Sequence, residues 1–462
     1  MTYDVIVVGA GPAGIFTALE LVTGAPALKV IMLEKGPDIH RRSCPMHVRD
    51  IQCIKCSPCT IVNGWGGAGA FSDGKLTLTT EFGGFLHEYL GKEKVAGLID
   101  YIDQVYLRFG APATVYGTDE EIVRRLWRQA ATAGLTLVPA RIRHLGTENC
   151  FKVLQAMREH LSDKVEIRTG TRVEEILVEN GRAWGARLDS GEELAGRVVV
   201  IAPGREGAEW FSREATRLGI RRANNPVDIG VRIEVPAVVM EPLTEHMFES
   251  KLYYYSESFD DQVRTFCVCP YGEVVVENNG GLLTVNGHSY EETRTENTNF
   301  ALLVSKTFTE PFKDPIAYGK YIASLANLLA GGVLVQRLGD LLAGRRSTAR
   351  RLARGMVRPT LKEAVPGDLS LVLPYRHLID ILETLRALDR LAPGVYSRHT
   401  LLYGVEVKFY SSRLELDNSL ETRVRNLFAA GDGAGVTRGL AQASASGVHV
   451  ARAILSRLGE GG

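Results

Sequence analysis

An α/β fold is predicted, with a Rossmann-like dinucleotide-binding domain on a parallel sheet and an inserted α+β domain. Three observations predict it. Asp4-Val5-Ile6-Val7-Val8 runs straight into Gly9-Ala10-Gly11-Pro12-Ala13-Gly14, and Lys29-Val30-Ile31-Met32-Leu33 ends on Glu34. At the far end, Asn426-Leu427-Phe428-Ala429-Ala430-Gly431-Asp432 is a second apolar strand leading into small residues and a helical pattern. Between them, from about residue 221 to 395, short strand-like runs and longer helical runs replace the strand–turn–helix pattern.

The N-terminal unit has a physical role for each part. Gly9 allows a tight turn, Gly11 lets backbone approach a pyrophosphate, and Gly14 lets the helix pack on the strand. Free N–H groups at the helix start hold phosphate charge. Glu34 lies twenty residues after Gly14, where an acid accepts hydrogen bonds from a ribose. A bare G-x-G-x-x-G says little. Here a strand precedes it, and Ile15, Leu19, Leu21 and Val22 follow at helical spacing.

At the C-terminal end, strand, Gly431-Asp432 and helix resemble the second FAD-contacting motif of the glutathione-reductase-like flavoproteins. Arg197-Val198-Val199-Val200-Ile201-Ala202-Pro203-Gly204 resembles the strand that returns the chain to their FAD domain. Thr171-Arg172-Val173 matches the place where such proteins set a residue against adenine. Three motifs in this order favour FAD over NAD.

The chain has 462 residues, too many for one ordinary core, so two domains are expected. Lys+Arg and Asp+Glu are equal at 54 each, and this balance does not point to nucleic acid. No apolar run approaches the ~20 residues that span a bilayer. The first apolar run is a strand, not a signal peptide, so a cytoplasmic location is expected.

Seven cysteines are present, and four of them, Cys44, Cys53, Cys56 and Cys59, fall within sixteen residues as C-x8-C-x2-C-x2-C. In a reducing compartment such a cluster reads as metal or redox chemistry before disulfides. The C-x2-C-x2-C run is the core of the ferredoxin [4Fe–4S] pattern. It differs from that pattern in its fourth cysteine, which lies upstream, and in having no Pro after Cys59. A structural zinc on four thiolates is the main rival. A disulfide, Cys53–Cys56 or Cys56–Cys59, is the third reading, and four unrelated buried thiols the fourth.

Further segments carry the resemblance along the whole chain. They are Gly66-Gly67-Ala68-Gly69-Ala70-Phe71-Ser72-Asp73-Gly74-Lys75-Leu76, Thr265-Phe266-Cys267-Val268-Cys269-Pro270, Val285-Asn286-Gly287, Arg337-Leu338-Gly339-Asp340, Arg358-Pro359-Thr360-Leu361, Val365-Pro366-Gly367-Asp368 and Gly404-Val405-Glu406. They resemble an uncharacterised family of FAD-dependent dehydrogenases in the glutathione-reductase-like superfamily, close to geranylgeranyl-reductase-like and GidA-like flavoproteins. The resemblance implies an FAD domain of glutathione-reductase type. Its FAD contacts are Gly9, Gly11, Pro12, Ala13 and Gly14, then Glu34, Lys35 and Arg42. Gly66, Gly67, Ala68, Gly69, Ser72 and Asp73 follow the pyrophosphate and ring. Val173, Ala202 and Gly204 come next, then Gly431, Asp432, Gly439, Leu440 and Ala441.

The expected domains are 1–220 (FAD-binding, with the cysteine loop 44–59), 221–395 (substrate domain) and 396–462 (return to the FAD domain). A helix carries Leu126 and Trp127 on its apolar face. Phe266–Val268 and Glu273–Glu277 read as strands, and 300–342 as a long helical region. No second strand–GxGxxG–helix unit appears, so NAD(P)H has no dedicated domain; either it binds briefly at the flavin face, or electrons arrive through the metal centre or a partner.

Cys267 and Cys269 fall on one strand face by alternation, as a redox pair or as two small buried hydrophobes. His288 and Tyr271 are candidate proton donors against a structural reading. Arg345, Arg346, Arg350, Arg351, Arg354 and Arg358 form a basic run. It suits an acidic, ferredoxin-like carrier or an anionic substrate, or is a solvated face.

The function expected is an FAD-dependent oxidoreductase of a small organic molecule, with a [4Fe–4S] centre exchanging electrons with the flavin. A carrier-to-carrier electron-transfer module and a GidA-like RNA-modifying enzyme are the alternatives.

Overall fold

The computed structural model describes residues 2–49, 54, 56–223, 225–290, 293–306, 308, 314–409 and 412–459. The chain divides into two compact units, one of residues 1–113, 143–225 and 410–462, the other of 114–142 and 226–409.

The first unit is built on Thr2–Val8. Val5, Ile6 and Val7 are fully buried, and the strand pairs in parallel with Val30–Glu34 on one side and Glu193–Ile201 on the other. Such a β-branched run, buried on both faces, is what a central parallel strand requires. Glu166–Thr169 extends the sheet beyond Val30–Glu34, and Leu427–Ala429 joins Glu193–Ile201, both in parallel. Val173–Glu179 and Arg182–Leu188 complete it as an antiparallel meander. This is the dinucleotide-binding α/β fold expected from the sequence. The helix Pro12–Gly24 starts on Pro12 at its first position, where a missing N–H costs nothing. It packs against the C-terminal helix Leu440–Gly459 so closely that a Cβ on Gly447 would lie 2.1 Å from the Ala13 carbonyl oxygen.

The second unit holds an eight-stranded sheet. Its order is Val365–Pro366, Leu334–Arg337, Leu401–Lys408, Val227–Pro236, Asn297–Lys306, Gln262–Cys269, Lys251–Tyr255 and Thr136–Val138. Val227, Ile229, Val231, Ile233 and Val235 send one face of the central strand into an apolar core shared with the helices Ala237–Met247, Pro315–Ala330 and Tyr375–Leu391. The alternate residues Asp228, Arg232 and Glu234 are as deeply buried on the other face. The hairpin Glu273–Asn279/Leu282–His288 packs over strands of that sheet.

Three sequence expectations are corrected. Residues 114–142 belong to the second unit, because Thr136–Val138 is its edge strand. The return to the first unit falls after 409, not at 396, because Leu401–Lys408 pairs on both sides inside the second sheet. The long helical region over 300–342 is a central strand, Asn297–Lys306, then a helix, a strand and a short helix. The run Phe300–Val304 is buried on both faces, and an apolar run of that length does not tell strand from helix by periodicity. Leu126 is buried on the helix Glu120–Thr132 as expected, but Trp127 is 48% exposed.

The Tyr375–Leu391 helix carries one carboxyl of a pair, Asp380, whose partner Asp261 lies just before the strand Gln262–Cys269. Asp380 is fully buried, and burial and then the neighbouring Asp261 carboxylate push it up to about 6. Burial also acts against the Asp261 charge, but Arg376 and Lys306 outweigh it and hold Asp261 down to about 2. Between pH 2 and 3.8 the unfolded chain binds the Asp261 proton and the native one does not, so stability rises with pH. Between 3.8 and 6 only the native chain holds the Asp380 proton, so this contribution is lost as pH rises through 6. Asp380→Asn is expected to flatten the fall in melting temperature between pH 4 and 7. An unchanged pH profile would show that Asp380 does not titrate there.

Candidate functional site

The site in the first unit begins at the turn after Thr2–Val8. Gly9 has φ of +104°, and a Cβ there would meet the Ala202 carbonyl oxygen at 2.2 Å. A Cβ on Gly14 would lie 2.0 Å from the Gly9 oxygen. These two glycines are fixed by the packing of turn, helix and return strand. Gly11 differs: a Cβ there meets only the Gly67 Cα, at 4.0 Å. It caps the helix with no side-chain hydrogen bond, which leaves the first-turn amides of Ala13 and Gly14 directed at a ligand.

The glycine-rich stretch lies against this turn. The Gly66 amide donates to the Ala10 carbonyl at 2.7 Å, and Gly66 and Gly67 both have positive φ, +87° and +57°. A Cβ on Gly69 would meet Leu440 Cδ2 at 2.8 Å and Pro12 Cγ at 3.7 Å. Gly69 therefore sits where the starts of two helices converge, Pro12–Gly24 and Leu440–Gly459. Two helix N-termini at one point make a strong anion site. Asp432 shapes the second start, its Oδ1 accepting from Thr437 Oγ1 at 2.6 Å and from the Gly439 amide at 3.3 Å. Ser72 Oγ donates to the Gly69 carbonyl, and Asp73 pairs with Lys75 at 2.8 Å.

Glu34 holds the far side. Its Oε2 accepts from the Ala10 amide at 2.9 Å, and its Oε1 from the amides of Gly36 at 2.8 Å and Gly64 at 2.9 Å. The expected ribose acceptor thus also fastens three loops, with lone-pair capacity left over. Glu34→Gln puts an NH2 group against one of those amides and is expected to cost about 1–3 kcal/mol in a urea melt. A neutral result would mean these amides find other partners.

The amides of Gly170 and Thr171 donate to the Gly36 and Glu34 carbonyls, which brings the segment before buried Val173 to the Glu34 end. The Ala202 amide donates to Val8, and a Cβ on Gly433 would meet the Gly204 carbonyl oxygen at 2.6 Å. Lys35 pairs with Glu206, and burial lowers it to about 8.

Arg42 is only 7% exposed, and burial lowers it to about 10. It donates to the carbonyls of Thr60 at 2.9 Å, Ile61 at 2.7 Å and Trp65 at 2.6 Å. The guanidinium thus binds the end of the cysteine loop to the start of the glycine stretch. Of the four clustered cysteines, Cys53 lies outside the described residues. Cys44, Cys56 and Cys59 are half-buried. Cys150 is buried, and burial raises its thiol, as expected of a packing residue.

In the second unit, the buried sheet face carries polar groups, of which the sequence reading missed Asp228, Arg232 and Glu234 on the strand Val227–Pro236. Arg232 and Glu406, both fully buried, pair at 3.1 Å. Glu234 accepts from Tyr403 Oη at 2.5 Å and Thr360 Oγ1 at 2.6 Å, and burial raises it. Asp228 pairs with Arg264 and accepts from Ser305 Oγ at 2.6 Å. The signal was available: Asp228, Arg232 and Glu234 alternate with five aliphatic residues at a period of two. Tyr271 donates to Glu241 Oε1 at 2.7 Å, and His288 ends the hairpin.

The fold and the cradle define a dinucleotide-binding flavoprotein. Residues 226–409 match the family model described as FAD-dependent protein, C-terminal domain-like, and residues 4–56 match that of lycopene cyclase protein. An uncharacterized protein of Clostridium beijerinckii is 27% identical over 479 residues, covering 98% of this chain and 80% of that one. Glycine oxidase from Geobacillus kaustophilus is 14% identical, with 99% and 95% of the two chains covered and a TM-score of 0.42. A geranylgeranyl bacteriochlorophyll reductase-like protein from Thermoplasma acidophilum is 12% identical, with 100% and 79% covered and a TM-score of 0.43. With the cradle on the page, the match over 226–409 points to FAD as the dinucleotide. The residues present fit FAD: an uncapped helix start, an open Gly11 and a second helix start beside Gly69. No helix among the described residues is long and apolar enough to cross a membrane.

Proposed function

We propose that the chain oxidises or reduces a small organic substrate at its flavin, and that a [4Fe–4S] centre held by Cys44, Cys53, Cys56 and Cys59 exchanges electrons with it. The observation that carries this reading is the path of residues 59–69. The Cys59 carbonyl accepts from the Asn63 backbone amide at 3.0 Å, the Gly64 amide reaches Glu34, and Arg42 grips three carbonyls from Thr60 to Trp65. The last cysteine of the cluster is thereby tied to the cofactor cradle by a few fixed residues.

A single zinc draws its thiolates to within about 4 Å of one another, given Zn–S bonds of ~2.3 Å. A cubane gives each thiolate its own iron and spaces them further apart. The two centres therefore ask different spacings of the same four cysteines, which the metal assay below tells apart. When bound, FAD supplies hydride or single-electron transfer. The chain's own part is to hold the pyrophosphate on two helix starts and to fix the ribose end at Glu34. Arg346, Arg350, Arg354 and Arg358 are exposed, without an ion pair among the described residues, and suit an acidic, ferredoxin-like donor.

The test is an absorption spectrum of protein purified without oxygen, with iron, sulfide and zinc assayed on the same sample. Flavin bands with about four irons and four sulfides per chain support the reading. Flavin bands with zinc and no iron overturn the cluster and leave the flavin to act alone.

A further inference from the structure

We propose that Cys267 and Cys269 are a redox-active dithiol of the second unit, which closes to an intrachain disulfide by exchange with small-molecule disulfides, with Arg232 as the positioning residue. This does not depend on the iron–sulfur reading.

Two residues apart on a regular strand, side chains stand about 6.6 Å from each other. Here the two sulfurs are 3.8 Å apart. A β-bulge brings them together. Phe266 pairs with Ala301 and Cys269 with Asn299, so three steps on one strand face two on the other. Cys267 takes up the extra residue at φ of +47°, a left-handed conformation that strains a non-glycine residue. Strain of that kind, at the one residue that draws two thiols together, points to a use for the pair.

The surroundings give the two sulfurs different roles. Cys267 is half-buried and Cys269 fully buried. Arg232 Nη2 donates to the Cys267 carbonyl at 2.6 Å and to Cys269 Sγ at 3.3 Å. Glu406 fixes the guanidinium from the other side, and Asn299 Oδ1 accepts from its Nε at 2.7 Å. Gly287 lies over it, since a Cβ there would meet Nη2 at 2.1 Å. A fixed cation at a sulfur stabilises the thiolate, which is the reactive form.

The exchange balances as follows. The Cys267 thiolate attacks one sulfur of a disulfide RSSR, forming Cys267–S–S–R and releasing RS⁻. The Cys269 thiolate then attacks the Cys267 sulfur, forming the intrachain bond and releasing the second RS⁻. The two protons of the dithiol end on the two released RSH, and the two electrons reduce RSSR.

Trypsin would release Thr265–Arg294, which contains no other cysteine. The flavin-loaded protein is reduced with dithiothreitol, desalted without oxygen, incubated with glutathione disulfide at pH 8, alkylated and digested. The expected result is a peptide lighter by two hydrogens that resists alkylation. Cys269→Ser should instead trap one glutathione on Cys267. The parent protein and Cys269→Ser are both checked for retained flavin absorbance. A wild-type peptide that keeps glutathione on Cys267, or that stays fully alkylatable, overturns the proposal.

Discussion

Gly11→Ala is expected to fold much as the parent protein does, yet to lose FAD affinity by about 100-fold, near 2.7 kcal/mol. Gly14→Ala, three residues on, is expected to fail earlier, in folding. The contrast follows from what each added methyl meets. At Gly11 it meets one Cα at 4.0 Å, which is ordinary contact. Removing a glycine cap for alanine costs at most about 1 kcal/mol. The same methyl stands where the pyrophosphate must approach the uncapped helix start. At Gly14 the methyl would stand 2.0 Å from the Gly9 oxygen and 3.1 Å from its carbon, both backbone atoms. Backbone cannot swing aside as a side chain does, so the cost sits at or above the ~1–3 kcal/mol typical of overpacking. FAD titration of the apoproteins with a paired thermal melt checks both. If Gly11→Ala binds FAD within about threefold of the parent, or ~0.7 kcal/mol, the pyrophosphate does not pass Gly11.

The cradle was legible because its parts are local. A β-branched run, three glycines and an acid at fixed spacing constrain one another within 34 residues. What Glu34 does besides was not legible, because its three amide donors come from Ala10, Gly36 and Gly64, on separate loops. The convergence at Gly69 joins segments some 370 residues apart, and only the resemblance to known flavoproteins brought Gly439 and Leu440 to notice. In the second unit, alternation placed Cys267 and Cys269 on one side, but a bulge with a left-handed residue brings their sulfurs into reach. The run Phe300–Val304 misled because a strand buried on both faces has no period to read. The cysteine cluster stood out by spacing alone, and with Cys53 outside the described residues its ligand set rests on the metal assay.

Arg232→Met is expected to destabilise the protein by about 3–5 kcal/mol, the largest single effect in the second unit. Met keeps the apolar stem and loses the guanidinium end, so the charge and its hydrogen bonds are the main loss. Burial by itself would pull a proton off Arg232, but Glu406 and then the thiols of Cys269 and Cys267 hold it charged. Its removal leaves the fully buried Glu406 carboxylate with Lys408, at 3.1 Å, as its remaining cation. The Asn299 Oδ1 and the Cys267 carbonyl lose their donor at the same time. Glu406→Gln in the Arg232→Met background should recover part of the loss, because a buried pair costs more to break than to replace on both sides. Urea denaturation of the two single variants and the double variant gives the coupling energy directly. Additive losses would mean that the pair is not a unit. A positive coupling would mean that the polar face of this sheet is held together by charge.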